Sequence, residues 1–157
     1  MILGISLNTR IIGMAILQKA TLVEYHIKLF KEGWSTQKLE QLLTCIHKYA
    51  NDYAIEHIAC VTPLSHHQTP QTKQVIEKLK DTCEEKRLPL YFYSAEELCK
   101  LGEVSRAKKK ALMQALCLLY PELTLAGKKE LRNRKRYYAK LFEAVGVATL
   151  HEKKLQD

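Results

Sequence analysis

Two short apolar runs open the chain. The first spans Met1–Ile5 and the second spans Ile11–Leu17, and a mostly polar break at 6–10 separates them. Runs of this length joined by a short polar break predict a buried β-hairpin that begins a sheet. Asn8 lies in the break and tolerates the positive φ angle that tight turns usually need. We therefore expect Asn8 to occupy the turn with a positive φ.

A third strand is predicted between Thr21 and Phe30. Apolar and polar residues alternate there, which is the period of a half-buried strand. The apolar residues are Val23, Tyr25, Ile27 and Leu29. Three strands that follow one another through short turns are expected to pair antiparallel.

Helical spacing then alternates with short apolar runs along the rest of the chain. Ser35 or Thr36 is placed to cap a helix that ends near Ala50. The pattern further predicts a strand over 58–61, a helix from about Thr72, a strand over 90–94, a short helix from Ala95, a helix from Arg106 to Tyr120 with Leu119 on its buried face, and a last helix from near Lys128 through Ala148. Because each later strand follows a helix, we expect it to add in parallel beside the hairpin.

The predicted fold class is therefore α/β, with a mixed five-stranded sheet and helices on both faces. Three strands are antiparallel and two are parallel additions. The 157 residues contain no linker or repeat, so we expect a single domain over 1–157. No apolar run is long enough to cross a bilayer, and no cleavable leader is recognisable. Five cysteines without CxxC spacing favour reduced core thiols in a cytoplasmic protein.

The net charge of +8 is concentrated in the last third of the chain. Residues 1–100 carry 12 Lys/Arg against 11 Asp/Glu, whereas residues 101–157 carry 13 against 6. A one-sided basic field favours a polyanionic partner, with nucleic acid ranked before an anionic membrane surface. The alternative is a solvated face that only keeps the protein soluble.

Two basic clusters carry this excess. They comprise Arg106, Lys108, Lys109 and Lys110 in one predicted helix, and Lys128, Lys129, Arg132, Arg134, Lys135, Arg136 and Lys140 in the next. Side chains of this kind contact phosphates without reading sequence, and their binding weakens steeply with salt.

The opening stretch GISLNTR resembles the first motif of RuvC-type Holliday junction resolvases and their ribonuclease H-like relatives. Their pattern is Gly-x-Asp-x-Gly-Thr/Ser-Arg, followed by a glycine in the second strand. The chain keeps Gly4, Thr9, Arg10 and Gly13, and it has Ser6 in place of the aspartate and Asn8 in place of the turn glycine. The resemblance implies a ribonuclease H-like fold, and we add Arg10 to the expected nucleic-acid contacts.

The resemblance also implies where catalytic residues would lie. The family holds two divalent cations with four carboxylates, because both the attacking and the leaving oxygen need neutralising. Those positions fall on Ser6, on Thr62 (or Val61 in the next register), on Lys140 and on Glu143. Glu143 alone is acidic, so we expect metal-dependent nuclease activity to be lost and no metal cofactor to be bound.

A positive charge could replace the cations. We hypothesise that the Lys140 ammonium group lies near the expected metal position beside Glu143, with Ser6 and Thr62 hydrogen-bonding into this centre. The alternative is an ordinary surface ion pair, worth ~0–1 kcal/mol.

The preferred interpretation is a nucleic-acid-binding domain, for DNA first, that does not cut its ligand. Relatives dimerise, so a homodimer is an open expectation, and no membrane partner is expected. One alternative is an active structure-specific endonuclease that uses Mg²⁺ with a rearranged set of acids such as Glu143, Glu56 or Asp52. Another is a protein-interaction module whose basic face meets an acidic protein.

Overall fold

The computed structural model describes residues 1–62, 68–102, 109–132 and 138–157. The strands are β1 (Ile2–Leu7), β2 (Ile11–Gln18), β3 (Thr21–Leu29), β4 (His57–Val61) and β5 (Leu90–Tyr93). The helices are α1 (Thr36–Asp52), α2 (Pro70–Glu85), α3 (Ala95–Cys99), α4 (Lys109–Leu119), α5 (Thr124–Arg132) and α6 (Ala139–Gln156). Two single-turn 3₁₀ helices cover Lys100–Gly102 and Pro121–Leu123.

The five strands form one mixed sheet in the order β3-β2-β1-β4-β5. β1 pairs antiparallel with β2, and β2 with β3. β4 joins β1 in parallel, and β5 joins β4 in the same way. The crossovers that parallel pairing requires contain α1 and α2. The predicted α/β fold class and the mixed sheet are confirmed.

Helices cover both faces of this sheet. On one face, α1 and α2 share an apolar cluster with the strands that includes Leu3, Ile5 and Leu42. On the other face, α4 and α6 share a second cluster that includes Ala15 and Phe142. Because side chains alternate along a strand, every second residue of β1 is directed at α6.

Two glycines allow α6 to lie directly on the hairpin. A Cβ atom at Gly4 would collide with the carbonyl oxygen of Ala144, and one at Gly13 would collide with the carbonyl oxygen of Lys140. Since every other residue type carries a Cβ, only glycine permits this close approach. The two glycines of the opening motif therefore have a packing role.

The β1–β2 turn is stabilised by a side chain and not by a positive φ. Asn8 Oδ1 accepts hydrogen bonds from the backbone N–H groups of Arg10 and Ile11, both at 2.8 Å, as in Asx turns. Asn8 is not among the described residues with positive φ, so that part of the prediction was wrong. Positive φ angles occur in the β2–β3 turn, at Lys19 (48°) and Ala20 (61°).

β3 is a strand, as predicted, but its burial differs from the expectation. Val23 and Leu29 are 41% and 42% exposed, whereas Leu22 is buried. The pairing of β2 with β3 shifts register between Ile16 and Leu17, which brings Leu17 opposite Leu22. Tyr25 and Ile27 are half-buried, as the alternation predicts. The register shift, on an edge strand, explains why Leu22 is buried in place of Val23.

The predicted helices were confirmed in part. Ser35 caps α1, because its side chain accepts a hydrogen bond from the Lys38 N–H at 3.1 Å. The single last helix predicted from Lys128 was wrong, since two helices, α5 and α6, occupy that region. Leu119 was predicted to be buried but is 52% exposed, and the neighbouring Tyr120 is buried in its place.

Thiols and membrane spans were the two expectations drawn from composition. All five cysteines are free thiols. Burial raises the pKa of Cys60 to about 12 and that of Cys83 to about 11, so both thiols stay protonated and unreactive at neutral pH. Within the described ranges, no helix combines the length and the apolar character needed to cross a membrane.

Candidate functional site

Three polar side chains meet where β1 ends beneath the first turn of α6. Ser6 is 1% exposed and faces α6. Lys140 and Glu143 lie three residues apart, so they share one face of the helix. We term Ser6, Lys140 and Glu143 the polar centre.

A single carboxylate oxygen joins the polar centre. Ser6 Oγ donates to Glu143 Oε2 at 2.5 Å, and Lys140 Nζ donates to the same oxygen at 3.1 Å. The side chains of Lys140 and Glu143 are 24% and 14% exposed, so the ion pair lies at the rim of the fold and is more shielded than a surface pair. The structure thus brings together three of the four positions singled out in the sequence.

The polar centre also acts on two nearby thiols. Burial raises the pKa of Cys60 in β4, and the positive charge of Lys140 opposes that rise. Burial likewise raises the pKa of Cys99 in α3, and the negative charge of Glu143 adds to it. The centre therefore lies within electrostatic reach of both β4 and α3.

Thr62 lies on the other side of the sheet. Val61 packs in the apolar cluster beneath α6, whereas Thr62 lines a cavity together with Lys73 of α2 and Phe92 of β5. The Thr62 N–H donates to the carbonyl oxygen of Tyr93 at 2.8 Å. Val61 therefore lies on the side of the sheet that carries the polar centre, and Thr62 lies on the opposite side.

The rearranged set of acids does not come together. Glu143 lies beside Ser6, near the end of β1. The Glu56 N–H donates to the carbonyl oxygen of Met1 at 3.0 Å, which places Glu56 at the start of β1. A strand rises about 3.3 Å per residue, so roughly 16 Å separates these two levels. Asp52 is exposed at the end of α1.

A second polar cluster, not predicted from the sequence, lies beneath the other end of α6. His151 is 2% exposed; its Nδ1 lies 2.7 Å from Tyr93 Oη, and its Nε2 lies 2.9 Å from His57 Nδ1. The Tyr91 ring packs against it with centroids 4.3 Å apart. Burial lowers the pKa of His151, with smaller contributions from His57 and Lys154. We term His57, Tyr91, Tyr93 and His151 the histidine cluster.

Comparison with known proteins gives different results for the sequence and for the structure. No family model and no curated protein matches the chain, whereas solved structures do. RuvC from Thermus thermophilus has a TM-score of 0.74 at 12% identity, over 99% of this chain and 95% of that chain. T. thermophilus RuvC in complex with a Holliday junction substrate has a TM-score of 0.74 at 11% identity, over 99% of this chain and 94% of that chain. The yeast mitochondrial Holliday junction resolvase has a TM-score of 0.56 at 11% identity, over 99% of this chain and 81% of that chain.

The chain has a RuvC-type fold. The match covers nearly the whole chain at 11–12% identity, so it establishes the architecture and leaves the chemistry to the residues. The ribonuclease H-like fold implied by the opening motif is confirmed.

The residues of this RuvC-type fold do not suit the two divalent cations that the resemblance implies. Mg²⁺ takes oxygen ligands, and two neighbouring cations need several carboxylates. The polar centre has one carboxylate, Glu143, whose Oε2 already accepts hydrogen bonds from Ser6 and Lys140. The Lys140 ammonium group adds a positive charge where cations would need negative ones. Across the described residues, no three His, Cys, Asp or Glu side chains are grouped as metal ligands.

The structure describes part of the expected basic surface of the RuvC-type fold. Arg10 in the β1–β2 turn, Lys110 in the first turn of α4 and Arg132 at the end of α5 are exposed. Exposed cations of this kind are free to reach a phosphate backbone. Lys109 begins α4, but its side chain is not among those described. The other predicted contacts lie outside the described residues: Arg106, Lys108, Arg134, Lys135 and Arg136.

Proposed function

We propose that this chain binds nucleic acid, DNA in the first place, and does not hydrolyse phosphodiesters with metal ions. The observation that carries the proposal is the pairing of Lys140 with Glu143 and Ser6 within a RuvC-type fold. At positions where the resemblance implies carboxylate ligands, the chain has a hydroxyl and an ammonium group. The Lys140–Glu143 pair takes up the one carboxylate of the polar centre, which supports the absence of metal-dependent hydrolysis.

Charge and fold both support DNA as the partner. Residues 101–157 carry seven of the eight net positive charges, and the described basic side chains Arg10, Lys110 and Arg132 are exposed. One structural neighbour, T. thermophilus RuvC, was solved with a Holliday junction substrate. Electrostatic attraction to phosphates supplies most sequence-independent binding, which suits a chain with this charge distribution.

We further propose that the protein works in the cytoplasm and without a resident cofactor. Five free thiols support a reducing compartment. The absence of a resident metal ion is supported by the side chains of the polar centre. Their one carboxylate, Glu143, already accepts hydrogen bonds from Ser6 and Lys140 and is a poor ligand for Mg²⁺. Dimerisation is proposed on the resemblance alone and is tested by the mass of the protein in solution.

Nucleic-acid binding is tested with fluorescently labelled four-way junction, duplex and single-stranded DNA. Anisotropy across a salt series should give binding whose log K falls linearly with log salt, with a slope of several units. Polyglutamate is the control, because equal salt-sensitive binding to it would favour an acidic protein as the partner. No binding to any DNA or RNA at low salt would overturn the proposal.

The absence of hydrolysis is tested on the same junction with Mg²⁺ or Mn²⁺. We expect the strands to remain intact. Metal-dependent cleavage that is lost in Glu143→Gln would establish the alternative, an active structure-specific endonuclease, on the same fold.

A further inference from the structure

A cavity of about 600 Å³ lies at the edge of the sheet, on the face opposite the polar centre. The β1–β2 turn, the segment that joins β3 to α1, and the first residues of α1 and α2 form its wall. Phe30 and Trp34 line it and belong to the apolar cluster beneath α1 and α2. The cavity and the polar centre therefore share one end of the sheet but lie on opposite faces.

A buried lysine forms part of the cavity wall. Lys38 is 2% exposed, and its Nζ donates to the carbonyl oxygen of Glu32 at 2.7 Å. A buried ammonium group is costly unless its charge is compensated. An ammonium group has three N–H donors, and a single carbonyl oxygen does not neutralise its charge. Lys38 thus places a fixed positive charge beside the cavity.

Two further cations add to this fixed charge. Arg10 and Lys31 are exposed and line the same cavity, and Glu32 is the one carboxylate residue among the described lining residues. Three positive charges against one negative charge leave a net attraction for anions. The N-terminal ends of α1 and α2 also meet here, and their dipoles contribute in the same direction.

An aromatic ring lies beside the cations. Trp34 is half-buried and lines the cavity, and it is the only tryptophan in the chain. Cations that contact phosphates next to an aromatic ring that stacks on bases are the recurring combination in single-stranded nucleic-acid sites. Part of the ring packs on the apolar cluster, and the part that lines the cavity offers a face on which a base can stack.

We propose that this cavity receives a backbone phosphate of a nucleic-acid strand and that Trp34 stacks on a neighbouring base. The inference rests on the proposed function and adds a second contact region, across the sheet edge from the polar centre. Arg10 and Lys31 contact the phosphate, while Lys38 supplies fixed positive potential behind them.

The single tryptophan allows a direct test, because its fluorescence reports on this cavity alone. A short oligothymidylate is titrated into the full chain while Trp34 emission and the anisotropy of the labelled strand are recorded together. Saturable quenching should follow the same binding curve as the anisotropy. Inorganic phosphate is titrated in parallel.

The double substitution Arg10→Ala/Lys31→Ala should weaken binding at least about tenfold and reduce the salt slope by about 1, because both side chains contact the one phosphate in the cavity. The matched control is Lys48→Ala/Lys86→Ala, which removes the same charge from exposed positions near the far ends of α1 and α2. The control should keep the salt slope. Trp34→Leu should weaken binding by about tenfold, and thermal unfolding verifies that each variant is folded.

The outcomes separate the cavity from the proposed function. If DNA binds but Trp34 emission does not change, and the double variant matches its control, the cavity inference is overturned and the proposed function stands. If phosphate alone gives the quenching and oligothymidylate does not, the cavity is an anion site and the nucleic-acid assignment is wrong. If no nucleic acid binds at low salt, both are overturned.

Discussion

The two ends of α6 each cover a polar cluster, and the clusters differ in charge and access. The polar centre pairs an ammonium group with a carboxylate, and its charged side chains remain 24% and 14% exposed. The histidine cluster is built from rings and a hydroxyl group that bond one another, and His151 at its middle is 2% exposed.

This difference indicates which cluster can meet a ligand. A buried polar group needs hydrogen-bond partners, and both ring nitrogens of His151 have them within the cluster, at Tyr93 Oη and His57 Nδ1. A charged pair at the rim can exchange a partner for a phosphate at smaller cost. We therefore interpret the histidine cluster as structural, and the partial exposure of the polar centre supports the proposal that this end of α6 meets the ligand.

The largest expected loss of stability comes from disturbing the packing of α6, the helix that covers both clusters, on the sheet. Gly13→Ala places a Cβ against the carbonyl oxygen of Lys140, so α6 must shift and the free energy of unfolding should fall by about 3 kcal/mol. Urea unfolding measures the change. Gly33→Ala is the matched control, because a Cβ there meets nothing within 4 Å; an equal loss in both variants would contradict the packing role of Gly13.

The second-largest loss of stability is expected for His151→Phe, because it removes the two hydrogen bonds of a buried side chain while keeping an aromatic ring. The substitution leaves Tyr93 Oη and His57 Nδ1 without their present partner, so we expect a loss of about 2 kcal/mol in unfolding free energy. His26→Phe changes an exposed histidine in the same way and should cost little. A neutral result for His151→Phe would mean that the histidine cluster contributes nothing to stability.

Glu143→Gln should have a smaller effect, because the polar centre is partly solvated. The ion pair with Lys140 is lost while the shape is kept, and we expect about 1 kcal/mol of destabilisation. Glu77→Gln is the control, since Glu77 and Lys80 form a pair with the same i,i+3 spacing in full solvent, with side chains 69% and 50% exposed. No difference between the two variants would show that Lys140 and Glu143 behave as an ordinary surface pair.

The smallest expected effect is a pH dependence of stability, to which His151 of the histidine cluster contributes. Burial lowers the pKa of His151 in the folded state, so below about pH 6.5 the unfolded chain takes up a proton that the folded chain resists. Unfolding free energy should therefore decrease as pH falls from about 7.5 to 5.5. His47, whose pKa burial also lowers, contributes in the same direction. Urea unfolding of His151→Phe across this range should give a shallower slope; an unchanged slope would assign the effect to His47.

The order of the elements could be predicted from the sequence, because hydrophobic spacing is a local property of each segment. The cap at Ser35 and the parallel addition of β4 and β5 followed from local rules. The side of the sheet that Thr62 faces could not be predicted, since a shift of one residue reverses the face. Only the pairing of β4 with β1 resolves that choice.

The histidine cluster could not be predicted, because His57 and His151 are 94 residues apart and meet only when α6 packs on β4. Lys38, in contrast, left a signal that could have been used. It precedes Leu39 by one residue and Leu42 by four, so it lies on the stripe of α1 that faces the core. A lysine on such a stripe marks a buried charge.

The β2–β3 turn has a consequence for hydrogen exchange. Its tip is exposed, yet the Ala20 amide donates to both carboxylate oxygens of Glu152, at 3.0 and 2.9 Å. Amides at exposed turns normally exchange with solvent quickly. We expect the hydrogen bonds to Glu152 to slow exchange of the Ala20 amide while the last turns of α6 stay docked, so its exchange rate should report the opening of that helix end from a single backbone resonance.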